Sequence, residues 1–258
     1  MNDTAPEFMD FGTGDRIAVV HQRGSTDRPG LFWLGGFKSS MDGTKATALA
    51  SWAGQHKLAC TRFDYSGHGV SGGSFEEGTV TGWLKEAVGV FREVSSGPQV
   101  VIGSSMGGWL ALLLCRALTR AHEADRIHAL VLIAPAVDMT EELMWKRFPD
   151  EVREELDTAG VYQRPSRYGD GDYAISRKLI EDGREHLLLA ELLSIHCPVR
   201  ILHGEADPDV PWEHGLRLYR HLDGPDISFT LIKDGDHRLS SPQEIGRLLA
   251  TVSALLPG

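Results

Sequence analysis

Val100-Val101-Ile102-Gly103-Ser104-Ser105-Met106-Gly107-Gly108-Trp109-Leu110 is the stretch on which the fold turns. An apolar run of strand length leads into it, and a segment with helical spacing, Met106 to Ala121, leads out. Between them lies G-x-S-x-G, a pattern that carries meaning only in this strand, turn, helix setting. At so sharp a turn the serine is forced into a strained backbone conformation, and glycines two residues to either side remove side chains that would collide there. Ser105 has glycine at both of those positions and Ser104 does not. The helix that follows aims its dipole and free N–H groups at the same spot, a setting for the negative charge of an acyl-transfer intermediate. A phosphate-cradling loop would need Gly-x-Gly-x-x-Gly or Gly-Lys-Ser/Thr, and neither is present.

Outward from this turn, strand-like and helix-like runs alternate. Arg16–Val20, Leu31–Leu34, Leu58–Phe63, Val100–Ile102, Ala129–Ile133, Val199–Leu202 and Ser228–Ile232 have the length of strands, several apolar almost throughout, as strands buried on both faces are. Helical spacing covers Thr44–His56, Val80–Ser95, Met106–Ala121, Glu213–His221 and Pro242–Leu255, with a stripe of Trp83, Ala87, Val90 and Phe91 on the second. This rhythm predicts an α/β fold with a mostly parallel, doubly wound sheet. It breaks once, from Met139 to Ile195. There the spacing predicts helices at Glu141–Phe148, Asp150–Ala159 and Tyr173–Gly183 and a loop over Gly160–Gly171. The expected division is a core of residues 1–138 and 196–258 with a helical cap, 139–195, inserted in it.

A serine hydroxyl needs a histidine to take its proton and a carboxylate to orient the ring, and on a sheet of this kind the chain order is Ser, Asp/Glu, His. The loop after Val199–Leu202 supplies Glu205, Asp207 and Asp209. The loop after the last strand, Lys233-Asp234-Gly235-Asp236-His237, supplies the base, His237. His203 and His68 do not fit that order; His203 reads as a structural hydrogen bonder, and Asp234 and Asp236 as turn caps. The two N–H donors that acyl transfer requires fall to Met106, directly after the serine, and to Phe37 in the glycine-bearing loop Leu34-Gly35-Gly36-Phe37-Lys38.

The chain has 258 residues, 41% hydrophobic and 24% charged, enough to bury one large core. With 26 Lys+Arg against 36 Asp+Glu its formal charge is -10, the wrong sign for neutralising phosphate backbones, so no nucleic acid partner is expected. Cys60, Cys115 and Cys197 show no metal or redox spacing and read as reduced, packed thiols. Met1–Phe11 carries acids where a signal or transit peptide would carry bases, and Trp109–Cys115, the longest apolar stretch, is too short to span a bilayer. The expectation is a cytoplasmic enzyme with no stable membrane insertion and no metal or organic cofactor.

Taken together these residues resemble the α/β-hydrolase superfamily over nearly the whole chain. Gly36-Phe37, Met41–Ala46, Arg62–Gly67, Gly103–Leu110, Val210-Pro211-Trp212, Asp236-His237-Arg238, Gly160-Val161-Tyr162 and Pro165–Tyr168 are similar to one branch. That branch holds the abhydrolase-domain-containing mitochondrial acyl-protein thioesterases (depalmitoylases) and their bacterial relatives. The resemblance implies Asp207 as the acid, with Asp209 in reserve, so that Ser105, His237 and Asp207 match the family's triad. It also implies hydrolysis of a thioester or oxygen ester with a hydrophobic acyl part, on a small molecule or an acylated protein. Trp145, Phe148, Tyr162 and Tyr168 are the expected acyl-site residues. The same apparatus on this fold also serves lactones, acyl glucuronides and carbon–carbon bonds, and some members are non-catalytic ligand receptors.

Overall fold

The computed structural model describes residues 5–165 and 172–257. Chain order is β1 (Glu7–Met9), β2 (Ile17–Gln22), β3 (Gly30–Leu34), α1 (Thr44–Gln55), β4 (Cys60–Phe63), α2 (Val80–Glu93), β5 (Gln99–Ser104), α3 (Met106–Arg120) and β6 (Ile127–Ile133). There follow α4 (Asp150–Ala159), β7 (Val161–Arg164), β8 (Tyr173–Ser176), α5 (Arg177–Arg184), β9 (Leu193–Ser194), β10 (Val199–Gly204), α6 (Trp212–His221), β11 (Leu222–Asp223), β12 (Ile227–Ile232) and α7 (Pro242–Ala254).

Eight strands join one sheet in the order β1-β2-β4-β3-β5-β6-β10-β12. The β1/β2 and β2/β4 pairs are antiparallel and every later pair is parallel. Side chains alternate across this sheet and so feed two cores. Phe32, Leu34, Val101, Leu130, Leu132 and Ile201 pack with α2, α3 and α6 on one face. Leu31, Trp33, Val100, Ile102, Val131 and Leu202 pack with α1 and α7 on the other. Side-chain caps start helices α2 and α7 as well as α5: Thr79 accepts from Gly82 N–H ahead of α2, and Ser241 and Glu244 form a capping box ahead of α7.

Packing is tight where β5 meets α3. A Cβ on Gly107 would collide with the carbonyl oxygens of Leu34 and Gly35, one on Gly103 with the Gly107 carbonyl, and one on Gly108 with Pro135. Strand therefore passes to helix through a single residue, Ser105, at φ 55° and ψ −119°. That is the strained elbow its motif predicts.

Among the described residues between β6 and β10 no strand joins the main sheet, and here the local structure departs from its spacing. Glu141–Phe148 is a π-helical turn (Met139–Met144) followed by a 3₁₀ turn (Trp145–Arg147), not an α-helix. Tyr173–Ser176 is strand β8, paired antiparallel with β7 from Val161↔Ser176 to Arg164↔Tyr173. A helix there starts only at Arg177, where the Ser176 hydroxyl accepts the Leu179 N–H at 3.1 Å. Asp138, left-handed at φ 54° and buried, closes the segment from below: its carboxylate accepts the N–H groups of Leu188 and Leu189 at 2.8 and 2.9 Å. All three cysteines are buried and free.

Two consequences can be measured. Gly107→Ala is expected to lose about 1–3 kcal/mol of unfolding free energy, whereas Gly246→Ala, in α7 with open space around it, is expected to gain about 0.5–1 kcal/mol; urea midpoints read both. His68 and His214, each bonded to a backbone carbonyl, are held by burial at pKa values of about 4. Their folded values lie below the ordinary 6.5, so the native state binds fewer protons than the unfolded chain. The stability that follows is complete above pH 6.5 and is lost as pH falls toward 4, by about 3 kcal/mol for each ring. Histidine NMR titration against urea stability at several pH values checks this.

Candidate active site

Ser105 is held at the elbow from both sides of its backbone. Its N–H donates to the Ile133 carbonyl at 2.8 Å, and its own carbonyl accepts from Gly108 and Ala136 N–H at 2.9 and 3.0 Å. The hydroxyl is left as the mobile part.

Asp207 sits in the loop after β10 with its side chain wholly buried. One carboxylate oxygen accepts the N–H groups of Asp209 and Val210 at 2.9 and 2.8 Å; the other meets His237 Nδ1 at 2.7 Å. Behind it lies the His203 ring, 3.7 Å from the carboxylate and bonded through Nε2 to the Val210 carbonyl at 2.9 Å, with burial holding its pKa below the ordinary value. His203 is thus the structural bonder its position suggests. A carboxylate only accepts, so His237 Nδ1 carries the proton and Nε2 offers its lone pair. That nitrogen lies 3.0 Å from Ser105 Oγ. The reserve acid, Asp209, contributes its backbone N–H, and Glu205 is paired with Lys233 at 2.6 Å.

The acid and base loops leave adjacent parallel strands, with Gly204 in register with Ile232. They are stitched by Glu205 N–H to the Ile232 carbonyl and Ala206 N–H to the Gly235 carbonyl, each at 2.9 Å. Asp236 caps its own turn by accepting the Leu239 N–H at 3.0 Å. Donor atoms of Asp207, Asp209 and His237 lie within 4.8 Å of one another. A cation held there would compete with the Asp207–His237 hydrogen bond.

On the other side of Ser105, the loop after β3 comes in at Gly36, where a Cβ would lie 3.3 Å from Ser105 Cβ. Phe37 is the next residue. Met106 opens α3, so its N–H belongs to the first turn, which has no intrahelical acceptor. The Phe37 ring stacks against Phe75, Trp83 and Tyr173 at centroid distances of 4.8, 5.9 and 5.7 Å. Lys38 donates to the Asp172 carbonyl at 2.9 Å and lies over the Tyr173 ring. Tyr173 is the aromatic residue that helical spacing misplaces: on strand β8 it braces the loop that carries Phe37. Of the expected acyl-site residues, Trp145 lies beside the guanidinium groups of Arg153 and Arg184, Phe148 packs edge-on to Tyr162 at 5.7 Å, and Tyr168 falls outside the described residues.

Residues 19–248 match the alpha/beta hydrolase family. The chain belongs to that family. This hydrolase is similar to the mitochondrial palmitoyl-protein thioesterase ABHD10 of Homo sapiens, 34% identical over 98% of this chain and 80% of that one, and to its Mus musculus counterpart, 35% identical over 96% and 82%. Among solved structures it resembles a putative hydrolase from Agrobacterium vitis S4 with a TM-score of 0.92 at 40% identity, covering 97% of both chains. It also resembles mouse alpha/beta hydrolase domain-containing protein 10, with a TM-score of 0.87 at 33% identity, covering 98% of both.

Asp207→Asn keeps an oxygen for the Asp209 and Val210 N–H groups while removing the acceptor-only partner of His237. The expected outcome is an unfolding midpoint close to wild type together with loss of the downfield Nδ1 proton resonance of His237, read by proton NMR at neutral pH.

Proposed function

We propose that this hydrolase cleaves carboxylic esters and thioesters with a hydrophobic acyl group through a Ser105–His237–Asp207 triad and an acyl-enzyme. The observation that carries the reading is the continuous hydrogen-bond chain from buried Asp207 through both nitrogens of His237 to Ser105 Oγ, at the tip of a strained elbow. A structural role alone would give no reason to hold a hydroxyl, a base and an acid in line.

Ser105 Oγ attacks the acyl carbonyl as its proton passes to His237 Nε2, and the imidazolium that forms is stabilised by the Asp207 carboxylate. Negative charge developing on the carbonyl oxygen is received by the N–H groups of Met106 and Phe37. His237 then hands its proton to the departing thiol or alcohol. In the second half it takes a proton from water, which attacks the acyl-enzyme, and returns that proton to Ser105 Oγ as the acid leaves. No step calls on a metal or organic cofactor. Similarity to thioesterases over nearly the whole chain supports the thioester as the favoured bond. The Phe37, Phe75, Trp83 and Tyr173 rings, gathered beside the proposed oxyanion donor, support an apolar acyl part.

Labelling with a fluorophosphonate probe, followed by turnover on acyl thioesters and oxygen esters of increasing chain length, tests the reading. Wild type should label and turn over both bond types. Ser105→Ala and His237→Ala should lose labelling, and Asp207→Asn should lose about 10³–10⁴-fold in kcat. A folded wild type that neither labels nor turns over any ester would move the chain to the ligand-receptor class.

A further inference from the structure

We infer that Lys45, in the first turn of α1, is a positioning residue for His237: it holds the outgoing side of the loop that carries the imidazole. The inference rests on the serine-hydrolase reading above.

The loop between β12 and α7 carries His237. Its first half is stitched to the acid loop through the Ile232 and Gly235 carbonyls. Around His237 stand two non-glycine residues in left-handed backbone, Asp234 at φ 57° and Leu239 at φ 44°, a path that costs energy unless its surroundings enforce it. On the way out, Leu239 is buried in the core with residues of α1 and α7, and Lys45 reaches the loop from α1. Its Nζ donates to the carbonyl of Arg238, the residue directly after His237, and reaches Ser240 Oγ at 3.4 Å. Those partners lie 193 and 195 residues away in sequence.

Everything else about Lys45 is unfavourable. It stands at the amino end of α1, where the helix dipole repels a cation, on a helix whose N-cap, Gly43, makes no side-chain bond and whose first turn holds no acid. Asp236 and Glu244 attract its charge and Arg238 repels it, but loss of solvent outweighs them and pulls its pKa down to about 8. Of the described residues, no carboxylate comes within ion-pair distance of it. A cation at the wrong end of a helix, partly buried and unpaired, destabilises the native state, so its folded value below the ordinary 10.5 means stability gained as pH rises through 8. What that cost secures is the Arg238 carbonyl and, through it, the placement of His237 over Ser105.

The two roles separate in Lys45→Met, which keeps the aliphatic stem and removes the charge. Expected are an unfolding midpoint equal to or above wild type, a kcat on an activated ester lower by roughly 10–100-fold, a KM within about two-fold, and slower fluorophosphonate labelling. The wild-type kcat should step down as pH passes about 8, where the ammonium is lost, and Lys45→Met should lack that step. Wild-type kcat in Lys45→Met would overturn the inference. So would activity lost only in proportion to lost folded protein, since Lys45 would then serve the fold. Should Lys45→Met not fold, a wild-type profile without the alkaline step overturns it independently. An inert wild type beside inert Ser105→Ala sinks the serine-hydrolase reading and this inference with it, whereas an active wild type indifferent to Lys45→Met sinks this inference alone.

Discussion

The first turn of α3 lies so close to β5, to the carbonyls of Leu34 and Gly35 and to Pro135 that only glycine fits at Gly103, Gly107 and Gly108. From that contact the rest of the site follows. With the helix pressed on the sheet, one residue must take the chain from strand to helix, and Ser105 does so in backbone that a side-chain-bearing residue seldom adopts. Three backbone hydrogen bonds then hold it. The same closeness points the free N–H groups of the helix at the serine and lets Gly36 bring the Phe37 loop against it. The Ser105 elbow and the approach of the Phe37 loop thus share one steric cause.

The other half of the site depends on strand adjacency at the far side of the sheet. Because β10 and β12 are parallel neighbours in register, their following loops leave side by side, and Gly204 admits the carbonyls of Gly235 and Asp236 at close range. Asp207 can be buried there because its oxygens are occupied by two N–H groups and by His237, leaving no acceptor to solvate. Burial in turn keeps water from competing for the His237 Nδ1 proton. The Ser105 elbow follows β5, Asp207 follows β10 two strands along and His237 follows β12 three along, and their loops bring His237 Nε2 to 3.0 Å from Ser105 Oγ.

Much of this was legible in the residues. Runs of strand length, several of them apolar almost throughout as strands buried on both faces are, located the seven long strands to within a few residues. Ser105, Asp207 and His237 could be read because each follows a strand in a fixed chain order, and the structure brings them together. The edge strand β1 was not legible: Glu7-Phe8-Met9 is only three residues, two of them exposed, paired antiparallel with β2. Between β6 and β10 periodicity misled, because tertiary contacts overrode it. Asp138 turns left-handed and spends its carboxylate on Leu188 and Leu189, and Tyr173–Ser176 finds a strand partner across Val161–Arg164. Lys45 and Tyr173 could not have been singled out either, since their partners on the His237 and Phe37 loops are far away in sequence.

The most direct measurement is the intact mass of the wild-type enzyme quenched during turnover of a slowly deacylated ester, followed by peptide mapping. An increase by one acyl group, mapped to Ser105 and absent in Ser105→Ala, is the predicted result. Turnover with no adduct on Ser105 under conditions where acylation outruns deacylation, or an adduct on another residue such as Cys115, would contradict it.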